Sequence, residues 1–167
     1  EVVIGDNLLR GHEDAVPDGA RLEVVDLLDG GSLQTLLGQG FDGVLHFAAL
    51  SIVPESVAQP ARYYRANVGG TIALLDAMRE TGVGRLVFSS TAAVYGEPDR
   101  VPIEETAPTR PTNPYGASKL AGEGLIQAYC EGFGLEGFIF RFVSILGDRY
   151  THGHVFDFCK RLMVDPS

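Results

Sequence analysis

Short apolar runs alternate with longer segments of helical periodicity, and this alternation restricts the possible folds of the chain more than any other feature. The apolar runs occupy residues 1–6, 22–26, 43–47, 85–89 and 137–142. Runs without polar alternation are typical of strands covered by helices on both faces. Parallel strands in turn need crossovers, which helices usually supply. The sequence therefore predicts an α/β fold with a doubly wound parallel sheet.

Three helices are predicted between these strands. The first spans residues 32–38, with Ser32 as its cap after a turn at Gly30 and Gly31. The second spans residues 63–81 and is closed by Gly82, and the third spans residues 114–132. The order is thus strand, strand, helix, strand, helix, strand, helix, strand. The proline-bearing stretch 97–114 is predicted as a loop beside the site.

Composition narrows the class of protein. The chain has 167 residues, of which 45% are hydrophobic, enough for one domain with a core. A net charge of -9 argues against a nucleic-acid surface, which needs clustered Lys and Arg. No run is long enough to span a bilayer and no signal segment is visible. Cys130 and Cys159 are expected to be reduced thiols, so the sequence favours a cytoplasmic location.

Tyr115 and Lys119 carry the strongest chemical signal. Their spacing places both side chains on one face of a helix. A free phenol has a pKa of about 10 and is a poor base at neutral pH. A nearby ammonium favours the phenolate, so Lys119 is expected to lower the Tyr115 pKa. The pair alone is weak evidence, and it gains weight from the hydroxyl run that ends at Thr91.

Several motifs in one order resemble the extended short-chain dehydrogenase/reductase family. Within that family they are most similar to the nucleotide-sugar epimerases of the UDP-glucose 4-epimerase type. The motifs are VLHFAA (44–49), NVGGT (67–71), VFSSTAAVYGEP (87–98), NPYGASK (113–119) and FRF (140–142). They cover nearly the whole chain.

The resemblance implies a Rossmann-like fold that lacks its first strand and its glycine-rich turn here. Gly30-Gly31 and Gly38-x-Gly40 do not have the spacing of a phosphate-binding turn. Because the family's first strand is central, its loss is expected to split the sheet. The implied domains are an NAD-binding domain at residues 1–143 and the start of a substrate-binding region at residues 144–167. The resemblance also implies a homodimer.

The resemblance further implies NAD as the cofactor. Asp6 would hydrogen-bond the adenosine ribose and disfavour NADP, although a solvated strand-end acid is the plainer alternative. Arg10, which is close in the sequence, keeps binding of the 2′-phosphate of NADP open as an alternative. The implied cofactor-binding residues are Asp6, Asn7, Asp26, Leu27, Phe47, Ala48, Ala49, Ser51, Asn67, Ser89, Tyr115, Lys119 and Phe142.

By the same resemblance, Tyr115, Lys119 and Thr91 are the catalytic residues of a nucleotide-sugar 4-epimerase. Thr91, Tyr115 and Ser144 would contact a nucleotide-diphosphate sugar. Related dehydratases carry an acid after the Thr91 position, where this chain has Ala92 and Ala93. Ser144 replaces the family's Asn and leaves the sugar open.

Two other functions remain open from the sequence: a dehydratase or reductase of the same family, and a non-catalytic NAD-binding scaffold. His152 and His154 flank Gly153, but no third ligand of suitable spacing is visible. No metal site is therefore predicted.

Overall fold

The protein, here a computed structural model that describes residues 1–147 and 154–164, follows the predicted alternation of strands and helices. Its strands are β1 (Val2–Asp6), β2 (Ala20–Val24), β3 (Val44–His46), β4 (Arg85–Thr91) and β5 (Glu136–Phe142). Its helices are α1 (Gly30–Leu37), α2 (Val53–Ala58), α3 (Pro60–Tyr63), α4 (Gly70–Thr81), α5 (Pro114–Phe133) and α6 (His154–Val164). Helices α2, α3 and α6 were not predicted.

All strand pairs are parallel, which confirms the predicted α/β class. The strands form two sheets, β1-β2 and β3-β4-β5. In the first, Val2 lies opposite Ala20; in the second, Leu86 of β4 lies between Val44 and Gly137. No described strand pairs with both β1 and β3, so the sheet is divided as the resemblance implied.

The core lies between the sheets and helices α1, α4 and α5. Helix α1 packs along α4, and α5 packs across β4. The apolar faces of these elements form one buried cluster, which includes Leu33, Leu75, Met78, Leu86, Phe88 and Ile126. Burial of each such side chain stabilises the fold by about 1.5–3 kcal/mol. The cluster thereby fixes α5 against β4.

The cap of α1 differs from the prediction. Asp29, not Ser32, is the N-cap, because its carboxylate accepts hydrogen bonds from the backbone N–H and the hydroxyl of Ser32. Gly30 and Gly31 therefore belong to the first helical turn and not to a preceding turn. Asp and Ser are both good caps, so the sequence could not rank them without the backbone direction.

The predicted helix at residues 63–81 consists of a π-helical turn and α4, and α3, which was not predicted, precedes them. Helix α3 leads into a π-helical turn, Tyr64–Gly69, which continues into α4. A π-helical turn inserts one extra residue per turn and is common at functional sites. The predicted end at Gly82 is confirmed, since this residue adopts φ 78° in the left-handed region that favours glycine.

Helix α5 approaches β4 most closely at Gly122. A Cβ there would lie 2.8 Å from Cζ of Phe88. Gly124, two residues further on, has open space around the same position. The two glycines of one helix thus differ in whether a methyl group can be accommodated.

We expect Gly122→Ala to lower the free energy of unfolding by about 1–3 kcal/mol, because Phe88 is fully buried and cannot yield without repacking. Gly124→Ala is the matched control and should raise stability by up to about 1 kcal/mol through helix propensity. Urea unfolding of both variants measures the difference. Equal effects of the two substitutions would contradict the close packing.

Candidate active site

The predicted site residues gather at the carboxyl ends of the parallel strands. Asp6 ends β1, Thr91 ends β4 and Phe142 ends β5, while Phe47 directly follows β3. Ligands of open α/β sheets bind outside this edge. Ser51 is exposed in the loop after β3, and Ser144 is exposed directly after β5. Ser89 lies within β4, opposite Phe140.

Helix α5 begins so that Tyr115 meets Thr91. Asn113 caps the helix by accepting a hydrogen bond from the N–H of Gly116 at 2.8 Å, and Pro114 occupies the first turn. Thr91 Oγ1 accepts from the N–H of Ala93 at 3.2 Å, where the chain leaves β4. The side chains of Tyr115 and Thr91 are close enough for the Thr91 hydroxyl to lower the pKa of the phenol. The structure therefore brings the predicted hydroxyl pair together.

The pKa of Tyr115 departs from the prediction. Burial raises the pKa of this phenol above its usual value, and the hydrogen bond from Thr91 only partly opposes that rise. The charge of Lys119 is not among the causes that lower it. The predicted downward shift is wrong for these side chains, because loss of hydration penalises the phenolate more than its neighbours stabilise it.

Lys119 is buried on the same face of α5. It is 3% exposed, and its Nζ lies 4.5 Å from the centre of the Phe88 ring. Burial lowers the pKa of Lys119 to about 8, while the negative charge of Glu123 acts in the opposite direction. Within the described part of the chain, Nζ has no hydrogen-bond acceptor. A buried ammonium without an acceptor suits a ligand that brings hydroxyl oxygens, as a ribose does.

Asn67 braces the loop after β3. Its Oδ1 accepts from the N–H of Leu50 at 2.8 Å, and its Nδ2 donates to the carbonyl of Leu50 and to Oγ of Ser118, both at 2.9 Å. Tyr63 also hydrogen-bonds both backbone groups of Ile52. The loop that contains Ala48, Ala49 and Ser51 is thus fixed at two points, one of them in the π-helical turn.

His46 is buried beneath this loop. The Thr71 hydroxyl donates to the carbonyl of Asn67 at 2.7 Å and lies 3.3 Å from Nε2 of His46. It therefore accepts from that nitrogen. Burial first, and then the charge of Lys119, lower the pKa of His46 to about 3. The imidazole is therefore neutral at physiological pH, and its hydrogen bond to Thr71 joins β3 to α4.

The acids at the ends of the first two strands, Asp6 in β1 and Asp26 after β2, both accept hydrogen bonds from the following loops. Asn7 Nδ2 donates to Asp26 Oδ2 at 3.0 Å, and the N–H of Leu28 donates to Asp26 Oδ1 at 2.9 Å. These two bonds lower the pKa of Asp26. Asp6 Oδ1 accepts from the N–H of Leu8. Leu27 does not take part in these contacts, because its side chain packs against Gly70 of α4.

An ion pair between the buried Glu123 and the half-buried Arg141 was not predicted. Arg141 Nη2 lies 2.7 Å from Glu123 Oε2, and Nε lies 3.0 Å from Oε1. Arg141 Nη1 also donates to Tyr95 Oη at 2.8 Å, and the Ser90 hydroxyl donates to Glu123. Tyr115, Lys119 and Glu123 follow one another at helical spacing, which is the sequence signal that could have identified Glu123.

The parallel sheet and the arrangement of Thr91, Tyr115 and Lys119 at its edge define a short-chain dehydrogenase/reductase. The NAD dependent epimerase/dehydratase family matches residues 1–163, so the chain belongs to that family. No group of three or more potential metal ligands occurs among residues 1–147 and 154–164. His152 lies outside the described residues, as does the side chain of His154. In the described part, no helix is long and apolar enough to cross a membrane.

Curated relatives and solved structures support this membership. The UDP-glucose 4-epimerase of Streptomyces lividans is 52% identical over 149 residues, which cover 88% of this chain and 45% of that protein. The chain thus spans less than half of that relative. The Thermus thermophilus UDP-glucose 4-epimerase complex with NAD superposes with a TM-score of 0.91 at 37% identity, covering 98% of this chain and 55% of that one. A dTDP-glucose 4,6-dehydratase from Streptomyces venezuelae, DesIV, reaches 0.88 at 33%, covering 98% and 53%.

Glu123→Gln should lower the free energy of unfolding by about 1.5–3 kcal/mol, because it weakens the charged hydrogen bonds of a carboxylate that is itself buried. The exposed pair Arg85–Glu136, which also joins the base of β4 to β5, provides the control. Glu136→Gln should cost less than about 1 kcal/mol. Thermal or urea unfolding compares the two, and similar losses would show that burial does not set the strength of the pair.

Lys119→Met should abolish turnover and yet raise the free energy of unfolding by about 2 kcal/mol at neutral pH. The folded-state pKa of Lys119, about 8, lies below the usual value of 10.5. Between these values the unfolded chain binds more protons, so the unsubstituted protein gains stability as the pH rises. The advantage of the variant should therefore be constant below pH 8 and shrink toward about pH 10. Urea titrations across this pH range measure the difference in the free energy of unfolding. A variant less stable than the unsubstituted protein at pH 7 would show that the buried charge of Lys119 does not destabilise the fold.

Proposed function

We propose that this chain belongs to an NAD-dependent nucleotide-sugar 4-epimerase, which inverts a sugar C4 hydroxyl through a transient 4-keto sugar. The observation that carries this proposal is the proximity of the Thr91 and Tyr115 hydroxyls at the carboxyl end of β4, with Lys119 buried one turn further along α5. Similarity to UDP-glucose 4-epimerases at 52% and 47% identity supports it. The proposed substrate is a nucleotide-diphosphate sugar, and UDP-glucose is the first to test.

In this proposal Tyr115 takes the proton of the C4 hydroxyl and returns it after the 4-keto sugar has rotated in the pocket to present its other face. Thr91 donates a hydrogen bond to the same oxygen and so keeps it at the phenol. Bound NAD supplies the hydride acceptor and donor for C4. No net oxidation of the sugar results, so the cofactor is expected to stay bound. Besides the proton transfer by Tyr115, the protein binds and orients the sugar and the cofactor and excludes water from them.

Lys119 has two roles in the proposal. Its ammonium, which has no acceptor in the described part of the chain, binds the ribose hydroxyls next to the nicotinamide. It also supplies the positive charge nearest to the phenol along the helix face. Since burial raises the Tyr115 pKa, proton removal needs this charge held rigidly. The packing of Lys119 against Phe88 provides that rigidity.

The cofactor site is proposed along the carboxyl edge of both sheets. The residues that would line it are Asp6, Asn7, Asp26, Leu27, Phe47, Ala48, Ala49, Ser51, Ser89, Tyr115, Lys119 and Phe142. Asn67 would act from behind the loop, since its amide is used by Leu50 and Ser118. Leu27 is the weakest member, because it faces Gly70. Ser144, exposed after β5, is proposed to contact the sugar.

A 4,6-dehydratase is the second candidate, and the structural similarity to DesIV favours it. The residues that follow Thr91 oppose it. Ala92 and Ala93 begin the 3-10 turn Ala92–Tyr95 directly beside the hydroxyl pair, and neither can transfer a proton. A non-catalytic scaffold would not need the buried Lys119, whose burial destabilises its charged form.

We further propose that residues 1–143 form the NAD-binding domain and that residues 144–167 begin the substrate-binding region. The five strands support the first part, because all of them end before residue 143. The homodimer and the cytoplasmic location remain predictions of the sequence.

Tyr115→Phe should reduce the interconversion of UDP-glucose and UDP-galactose by about 10²–10⁴-fold in kcat, because the general base is lost. Bound NAD, measured by absorbance after denaturation of the full-length protein, should remain. Tyr129→Phe is the matched control on the same helix, since its hydroxyl bonds Asp76 away from the site. Wild-type turnover in Tyr115→Phe would refute the assignment, and a 4-keto-6-deoxy product from the unsubstituted protein would favour the dehydratase.

A further inference from the structure

Arg10 is held by a partner far away in the sequence. Its Nη2 lies 2.6 Å from Oε2 of Glu55. Arg10 belongs to the loop after β1, whereas Glu55 lies on α2, after β3. The pair therefore joins a segment of the first sheet to a segment of the second.

The loop that contains Arg10 is folded around the carboxylate of Asp6. The N–H of Leu8 donates to Asp6 Oδ1, and Leu8 adopts φ 57°. A Cβ on Gly11 would lie 2.6–2.8 Å from the carboxyl atoms of Asp6. The backbone at residues 10–11 thus lies next to the carboxylate of Asp6, while the guanidinium of Arg10 is bonded to Glu55.

This position matters for the choice of coenzyme. An acid at the end of the second strand of a dinucleotide fold accepts hydrogen bonds from the adenosine ribose, and an arginine nearby accommodates a 2′-phosphate. A guanidinium binds phosphate through paired, charge-assisted hydrogen bonds. Arg10 has the chemistry for that role and lies in the loop next to Asp6, but its Nη2 is bonded to the carboxylate of Glu55.

Glu55 is itself held in place by two other residues. Arg62 Nη1 lies 2.6 Å from Oε1, and the hydroxyl of Tyr63 lies 2.8 Å from Oε2 and shares its one hydrogen between this oxygen and the carbonyl of Ile52. Tyr63 is fully buried, and Glu55 has only 19% of its side chain exposed. Hydrogen bonding and the two arginines lower the pKa of Glu55. The carboxylate that receives Arg10 is thus charged and pre-oriented.

We propose that Glu55 is a coenzyme-specificity residue: it withholds Arg10 from the 2′ position of the adenosine ribose and thereby disfavours NADP. Asp6 would repel a 2′-phosphate, and Glu55 would deny that phosphate the arginine of this loop. The inference rests on the NAD site of the proposed function. It adds a residue whose proposed effect acts through Arg10.

Binding of two adenosine fragments to the NAD-free full-length protein tests this inference. Calorimetry compares adenosine 5′-monophosphate with adenosine 2′,5′-bisphosphate, which differ only in the 2′-phosphate. Glu55→Gln keeps a hydrogen-bond acceptor for Tyr63 but removes the charge that holds Arg10. We expect the affinity ratio to shift about tenfold toward the bisphosphate, the effect of one charge-assisted hydrogen bond.

Two further variants isolate the cause. Glu55→Gln combined with Arg10→Gln should return the ratio to its original value. Arg62→Gln, the matched control, removes the other cation on Glu55 without releasing Arg10 and should leave the ratio unchanged. A shift that persists in the double variant, or that Arg62→Gln reproduces, would overturn the inference, as would an unchanged ratio in Glu55→Gln.

Arg10→Gln alone keeps the inference testable if Glu55→Gln does not fold. Because Arg10 is held at Glu55, its loss should leave the ratio unchanged, and a fall in bisphosphate affinity would show that Arg10 already serves the 2′ position. If the unsubstituted protein binds neither fragment, both the proposed cofactor and this inference are wrong. If it binds both and only the ratios disagree, the inference alone fails.

Discussion

The ion pair between the buried Glu123 and the half-buried Arg141 holds together the part of the structure that carries Thr91 and Tyr115. It joins α5 to β5, and through Ser90 and Tyr95 it also holds β4 and the turn that follows β4. A buried pair stabilises a fold only when its remaining hydrogen-bonding capacity is satisfied, because desolvation costs several kcal/mol per ion. Here both carboxylate oxygens and most guanidinium donors have partners. The pair therefore fixes the relative positions of the elements that present Thr91 and Tyr115.

Next to this pair the fold accepts an unfavourable charge. Lys119 is buried without a hydrogen-bond acceptor in the described residues. The negative charge of Glu123 and the ring of Phe88 stabilise its ammonium, and His46, which is neutral, does not repel it. A buried charge of this kind lowers the stability of the fold, but it fixes a positive charge on the helix face that carries Tyr115. The same low dielectric that lowers the Lys119 pKa raises that of Tyr115. Both shifts thus have one cause.

The structure has two halves, one on each side of the division between the sheets, and they share one apolar core. The half with β3, β4 and β5 carries the proposed chemistry, and the half with β1 and β2 carries the proposed adenosine contacts. Packing of α1 on α4 joins them through apolar side chains, and Arg10–Glu55 joins them through charge. The Arg10–Glu55 pair can therefore influence the proposed choice of coenzyme without changing the packing of the core.

The sequence by itself determined the α/β class, the end of α4 at Gly82 and the placement of Tyr115 and Lys119 on one helix face. These follow from local periodicity and spacing, which neighbouring residues set. The cap at Asp29, the direction of the Tyr115 pKa shift and the partner of Arg10 were decided only by the tertiary structure. Each depends on burial, on backbone direction or on a residue distant in the chain, as Glu55 is from Arg10, and no local pattern encodes such proximity.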